Sequence, residues 1–231
     1  MSFFFSPVEL TRGVSVVLEG DAAHHIGTVR RIRQGEEIQL QDPRERRFLV
    51  RVDVASKRSV TITPLSELSV PAAPAHSVIL LQALVSEQNI DLILQKATEL
   101  GTKKIVLFQG ERSPHTIPAD RLSHKLARWI DISRNACEQS GRPTLPTLHV
   151  VSSLREALIH AEGVLVALDE SGGAFPSADK VTLAVGPEGG LSEQEFSLLK
   201  NQSAVFARIG AYTLRSETAA IAGLAVTHDL S

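Results

Sequence analysis

From residue 78 onward, short apolar runs alternate with stretches of helical periodicity, and a chain patterned this way has few ways to fold. Residues 78–84, 105–108, 148–151, 164–168, 181–185 and 204–209 read as buried strands. Residues 87–100 put Ile90, Ile93, Leu94, Ala97 and Leu100 on one helical stripe that stops at Gly101. A long helix over 120–139 turns Leu122, Leu126, Trp129, Ile130 and Ala136 inward, and 154–161 continues the alternation. Ser192-Glu193-Gln194-Glu195 is a capping box opening another helix, and Ser216 is available to cap a last one running to Leu230. Strands that each lead into a helix predict an α/β domain, with a mostly parallel sheet covered on both faces.

Upstream the pattern changes. Pro71-Ala72-Ala73-Pro74-Ala75 fixes two φ angles and removes two backbone donors, which suits a semi-rigid linker. Before it, 14–18, 37–40, 48–54 and 59–63 alternate or run apolar between turn and charged residues. One helix over 21–31, capped by Asp21, interrupts them. So many short strands in 70 residues predict a small β-barrel. The chain therefore divides into a barrel at 1–70, a linker at 71–75 and an α/β domain at 76–231.

Of the 231 residues, 43% are hydrophobic and 22% charged, which excludes collagen-like or broadly disordered chains. No apolar run approaches the roughly 20 residues that span a bilayer. The leading Met1-Ser2-Phe3-Phe4-Phe5-Ser6-Pro7 lacks the basic start and the length of a signal peptide. A soluble, cytoplasmic protein is expected. Cys137 is the lone cysteine and falls on the helical periodicity of Ile130 and Ser133, as a packing residue does. His24 and His25 are adjacent, so they diverge by about 100° on a helix, and the other histidines share no ligand spacing. No metal is expected. Residues 28–58 hold nine Lys or Arg against five Asp or Glu; that excess could face a polyanion such as RNA, but charge alone favours a solvated surface.

Two segments leave strand ends where open parallel sheets bind ligands. Gly186-Pro187-Glu188-Gly189-Gly190 lets backbone approach a ligand closely, although a plain turn has the same composition. It matches neither a Walker loop nor the Gly-x-Gly-x-x-Gly fingerprint. Ile209-Gly210-Ala211-Tyr212-Thr213-Leu214-Arg215-Ser216-Glu217-Thr218 gathers a cation, a carboxylate and hydroxyls at a helix start. Simple capping explains Ser216 and Glu217 there. It does not explain Arg215, whose charge opposes the helix dipole.

These segments carry a resemblance that runs nearly the full length of the chain. His24-His25 with Val29-Arg30-Arg31, Gln95-Lys96-Ala97-Thr98-Glu99-Leu100-Gly101, Glu111-Arg112-Ser113 and Ala136-Cys137-Glu138-Gln139-Ser140-Gly141-Arg142 with Pro146 form part of it. Gly186-Pro187-Glu188-Gly189-Gly190 and Leu214-Arg215-Ser216-Glu217-Thr218-Ala219 complete it. In this order and spacing the chain resembles the RsmE family, methyltransferases that modify uridine N3 in 16S ribosomal RNA of the small subunit. The resemblance implies a PUA-like RNA-binding barrel, a SPOUT domain with a trefoil knot, S-adenosylmethionine as methyl donor and a homodimer. It implies cofactor contacts at Leu168, Gly186, Pro187, Glu188, Gly189, Gly190, Ile209, Gly210, Leu214, Ser216, Thr218 and Ala219. RNA contacts are implied at Arg30, Arg31, Arg33, Arg112 and Arg142. Because uridine N3 carries a proton, the reaction needs a cation for the developing anion or a base to take the proton, and both are expected; Arg215 is expected in the first role, and Glu217 as base or as the group orienting Arg215. The chain differs from the usual family pattern at Ser86-Glu87-Gln88-Asn89, where a basic stretch is common, so a weaker salt dependence of RNA binding is expected. The alternatives are a methyltransferase of the same fold acting on another RNA, a non-catalytic ribosome-assembly binder, and a nucleotide-binding module.

Overall fold

The computed structural model describes residues 3–29, 32–56, 58–72, 74 and 76–229. They form two compact units, the first comprising residues up to Ala72 together with Cys137–Thr144, the second comprising Ala73–Ala136 and Leu145–Ser231.

The first unit contains β1 (Phe3–Phe5), β2 (Val16–Glu19), α1 (Gly20–His24) with a π-helical turn at His25–Val29, β3 (Glu37–Gln41), β4 (Arg47–Ala55) and β5 (Ser59–Leu68). The strands join in the order β1-β3-β4-β5-β2, antiparallel except for the parallel pair β1 and β3. Side chains two apart share a face. Thus Ile38 and Leu40, Phe48, Val50 and Val52, and Val60 and Ile62 are all buried in one core with Leu18, Ala23 and Ile26. Register shifts in β4 at Leu49/Val50 and Val52/Val54 bend the sheet around that core. α1 is not capped by Asp21; Glu19 is its cap residue, without a side-chain bond, and Asp21 lies in the first turn. β1 has no counterpart in the sequence reading. Three consecutive phenylalanines carry no strand period, and only pairing with β3 makes them a strand.

The β3–β4 turn is built on Asp42, whose buried carboxylate accepts from the Arg44 and Arg46 amides at 3.0 and 3.1 Å and from the Leu10 amide at 3.3 Å. The Arg46 guanidinium reaches it at 2.6 Å. The 137–144 segment is bound in the same manner. Glu138 accepts from the Phe5 amide at 3.3 Å and pairs with His25 at 3.2 Å. Gln41 donates to the Pro143 carbonyl at 2.6 Å, and Arg47 donates to Gln41 at 2.9 Å and to the Gly141 carbonyl at 3.1 Å. Cys137 is fully buried, and burial raises its thiol pKa to about 11, consistent with packing rather than nucleophilic chemistry.

The second unit runs β6 (Ser77–Ala83), α2 (Glu87–Glu99), β7 (Lys104–Phe108), α3 (Ala119–Ser140), β8 (Thr147–Val151), α4 (Leu154–Ala157) with a 3-10 turn at Leu158–His160, and β9 (Val164–Gly173). It ends with β10 (Lys180–Val185), α5 (Glu193–Asn201), β11 (Val205–Ala207) and α6 (Ser216–Asp229). The sheet order is β11-β9-β10-β6-β7-β8 and every pairing is parallel, as the alternation requires. Val78 and Leu80 of β6 pack with Ile90, Ile93, Leu94, Trp129 and Leu224 on one face. Ile79, Leu81 and Ala83 pack with Leu154, Ala157 and Leu199 on the other. At Gly223 a Cβ would come within 2.7 Å of Leu183 Cδ2, so glycine lets α6 lie against β10 without displacing that side chain. Ile130, expected inward, is 41% exposed. Its neighbour Trp129 takes the buried position, and consecutive helical residues point about 100° apart.

Candidate active site

A cleft of about 830 Å³ opens in the second unit beyond the carboxyl ends of β9, β10 and β11. Its walls are loops that the sheet topology brings together. β9 runs past the expected 168: Phe206 pairs with Ala167 but Ala207 pairs with Gly173, so 168–172 bulge outward and Leu168, Asp169, Glu170 and Ser171 line the cleft. The glycine loop after β10 forms a second wall, with Gly190 at φ +71°, where a side chain would be strained. The segment after β11 and the start of α6 form the third. Arg208 braces that segment by donating to the Ala211 carbonyl at 2.6 Å.

The capping box at the head of α5 is present, Ser192 and Glu195 bonding reciprocally. The buried Glu195 also accepts from the Glu111 amide at 3.1 Å, tying the 110–113 loop to the glycine loop's end. Ser113 anchors the same loop by donating to the Leu84 carbonyl.

Ser216 does not cap α6. The first helical bond runs from the Ala219 amide to the Arg215 carbonyl at 2.8 Å, which makes Arg215 the cap residue. The Ser216 hydroxyl is turned away, donating to the Gly186 carbonyl at 2.6 Å and accepting from Gln82 Nε2 at 3.0 Å. Arg215 is exposed on the cleft wall and forms no ion pair among the described residues. Glu217 is buried in the same cleft, and its Oε2 has no hydrogen-bond partner.

Of the residues expected to hold a cofactor, Leu168, Gly186, Pro187, Glu188, Gly189, Gly190, Ile209, Leu214, Ser216 and Ala219 line the cleft; Gly210 and Thr218 do not. Gly210 instead supplies a left-handed turn at φ +75° beside it. The sequence reading missed Asn89, Asp169, Glu170 and Ser171 on the lining. The signal for the last three was an apolar run leading without a break into Asp-Glu-Ser-Gly-Gly. Among the expected RNA contacts, Arg33 and Arg112 are exposed, whereas Arg142 is half-buried and burial lowers its pKa. Arg30 and Arg31 lie outside the described residues, as does Lys57 of the basic region.

Residues 72–228 match the family of RNA methyltransferase domains, and residues 18–65 match that of RNA methyltransferase PUA domains. Ribosomal RNA small subunit methyltransferase E of Mycobacterium bovis is 32% identical, over 97% of this chain and 89% of that protein. Its Bacillus subtilis counterpart is 28% identical over 90% and 87%. A ribosomal RNA small subunit methyltransferase E from Neisseria gonorrhoeae, solved bound to S-adenosyl methionine, superposes with a TM-score of 0.89 at 30% identity, covering 100% of this chain and 98% of that one. The chain belongs to the ribosomal RNA small subunit methyltransferase E family.

Proposed function

We propose that the chain transfers the methyl group of S-adenosylmethionine to N3 of a uridine in 16S ribosomal RNA. The cleft suits that cofactor in volume and in chemistry. Leu168, Val185, Leu191, Ile209 and Leu214 offer apolar surface for an adenine, and Asp169, Glu170, Glu188 and Glu217 offer carboxylates to a ligand carrying sulfonium and ammonium charges. When bound, the cofactor supplies an electrophilic methyl group.

The remaining chemistry falls to the chain. Uridine N3 holds a weakly acidic proton that has to leave as the nitrogen attacks. Glu217 is suited to take it at Oε2, the oxygen with no other partner. Arg215 stands at the N-terminus of α6, so its guanidinium and the helix's positive end act together on charge developing at the uracil oxygens. With no ion pair between them, Arg215 and Glu217 are better read as separate cation and base than as a base and its orienting group. The observation that carries this reading is the buried, unpartnered Glu217 carboxylate oxygen in one cleft with an unpaired Arg215.

Arg33 and Arg112 suit rRNA phosphates. A homodimer and a knotted cofactor region belong to the same proposal. Leu92 and Ile130 leave apolar surface exposed for a second copy, and after edge strand β11 the chain returns for α6 to pack on β10, β6 and α2. A cytoplasmic location follows from the substrate; among the described residues no helix is long and apolar enough to cross a membrane. The test is mass spectrometry of small-subunit rRNA nucleosides from cells with and without the gene. Loss of 3-methyluridine, restored by wild type but not by Arg215→Ala, is the expected result; unchanged 3-methyluridine would overturn the assignment.

A further inference from the structure

Gln82 is fully buried in β6, a strand whose other inward side chains are apolar. An amide in such a place costs free energy unless it is bonded. Its Nε2 donates to the Ala83 carbonyl at 2.9 Å and to Ser216 Oγ at 3.0 Å, and Ser216 Oγ in turn donates to the Gly186 carbonyl at 2.6 Å. The direction of this chain is determined. A serine hydroxyl has one proton, and with that proton on Gly186 it can only accept from Gln82. Turning the amide over would set its oxygen against the Ala83 carbonyl with no proton between them, so this orientation is favoured although Oε1 itself has no partner.

We propose that Gln82 is a positioning residue for the cofactor. Through Ser216 it ties the glycine loop after β10 to the first turn of α6, and so sets the separation of two walls of the cleft. Ser216 and Gly186 line that cleft and Gln82 does not, so Gln82 acts only through its partners. The inference rests on the cofactor assignment above and adds to it a residue outside the glycine loop and the α6 start.

Calorimetric titration with S-adenosylhomocysteine tests it, using wild type, Gln82→Met, Ser216→Ala and the double variant. Each single substitution should weaken Kd by about tenfold, the equivalent of one net buried hydrogen bond. Because both cut the same chain, the double variant should bind about as well as the weaker single one. Gln82→Glu adds a second readout. A carboxylate can only accept and competes for the Ser216 proton, so its Kd should worsen as pH rises and the side chain ionises, while wild type shows no such slope. A melting temperature lowered with Kd unchanged would reduce Gln82 to a packing residue and overturn the proposal. So would losses in Kd that multiply in the double variant. Gln82→Glu, nearly isosteric, carries the test where Gln82→Met does not fold. Wild-type protein that fails to bind S-adenosylhomocysteine would overturn the cofactor assignment itself, a result distinguishable from tight wild-type binding with unaffected variants.

Discussion

The two units bury polar groups in different ways. In the first, Asp42, Arg46, Arg47, Gln41, His25 and Glu138 bond one another and the backbone across turns and strands, so that charge is part of what holds the core together. In the second, the centre of the sheet is apolar on both faces, and buried polar groups such as Gln82, Glu195, Ser216 and Glu217 lie toward the carboxyl ends of its strands. Polar groups of the first kind form nearly closed sets, in which Arg47 Nε is left without a hydrogen-bond partner. Those of the second kind hold loops, and Glu217 keeps an acceptor open to a ligand. Buried polar groups therefore report stability in the first unit, and at the carboxyl ends of the second unit's strands they report function.

The most demanding way to break this comparison is Glu217→Gln. It should lower kcat by about 10²–10³ with an unfolding midpoint close to wild type; a large stability loss with activity intact would place Glu217 with the closed sets. Asp42→Ala is the mirror experiment. It should destabilise the first unit by about 3 kcal/mol in urea unfolding, since it strands Arg46 and three amides, and should leave S-adenosylhomocysteine affinity unchanged. Gly190→Ala forces a side chain into the left-handed region and should cost about 1 kcal/mol, read as weaker cofactor affinity. Acid sharpens the contrast further. Burial alone would raise the Asp42 carboxyl, but hydrogen bonds from the Arg46 side chain and from the Leu10 and Arg46 amides outweigh it and hold its pKa below the ordinary value. Its contribution is then complete above about pH 4 and is lost as pH falls through the lowered folded value. The urea midpoint of wild type should drop on that limb, and Asp42→Asn should flatten it. The smallest effect belongs to Glu87, which pairs with Lys125 at 2.8 Å and Arg128 at 3.0 Å on the surface. Arg128 stays paired with Asp91, so Glu87→Gln frees Lys125; it should change stability by less than about 0.5 kcal/mol yet steepen the salt slope of RNA binding by about one.

The sequence made the second unit legible because its elements are local. The stripe from Ile90 to Ala97 and the capping box at Ser192 each need only a few neighbouring residues to be recognised. What escaped depends on distant partners. Phe3 to Phe5 become a strand only against β3, and β9 continues past Leu168 only because Ala207 pairs with Gly173. Ser216 looked like a cap because a hydroxyl at a helix start usually is one; its true partner, Gln82, lies 134 residues away. Asn89, inside a segment that departs from the family pattern, reaches the cleft through the packing of α2 against the sheet, which no spacing encodes. The glycine loops were readable as places of backbone approach, while Gly210 and Thr218, both off the lining, show that composition marks a region and not its contact atoms.

Because residues 137–144 belong to the first unit, that unit is discontinuous along the chain, and this bears on its biosynthesis. When the ribosome has finished the five strands of the sheet, Gln41, Arg47, His25 and the Phe5 amide still lack the partners that Glu138, Gly141 and Pro143 supply. Those partners emerge only after β6, α2, β7 and most of α3 have been made, roughly 10 s later at ordinary elongation rates. The amino-terminal sheet must wait for its last segment as an incomplete intermediate, and a fragment ending at the proline linker would keep its apolar core yet lack the charged seal over it.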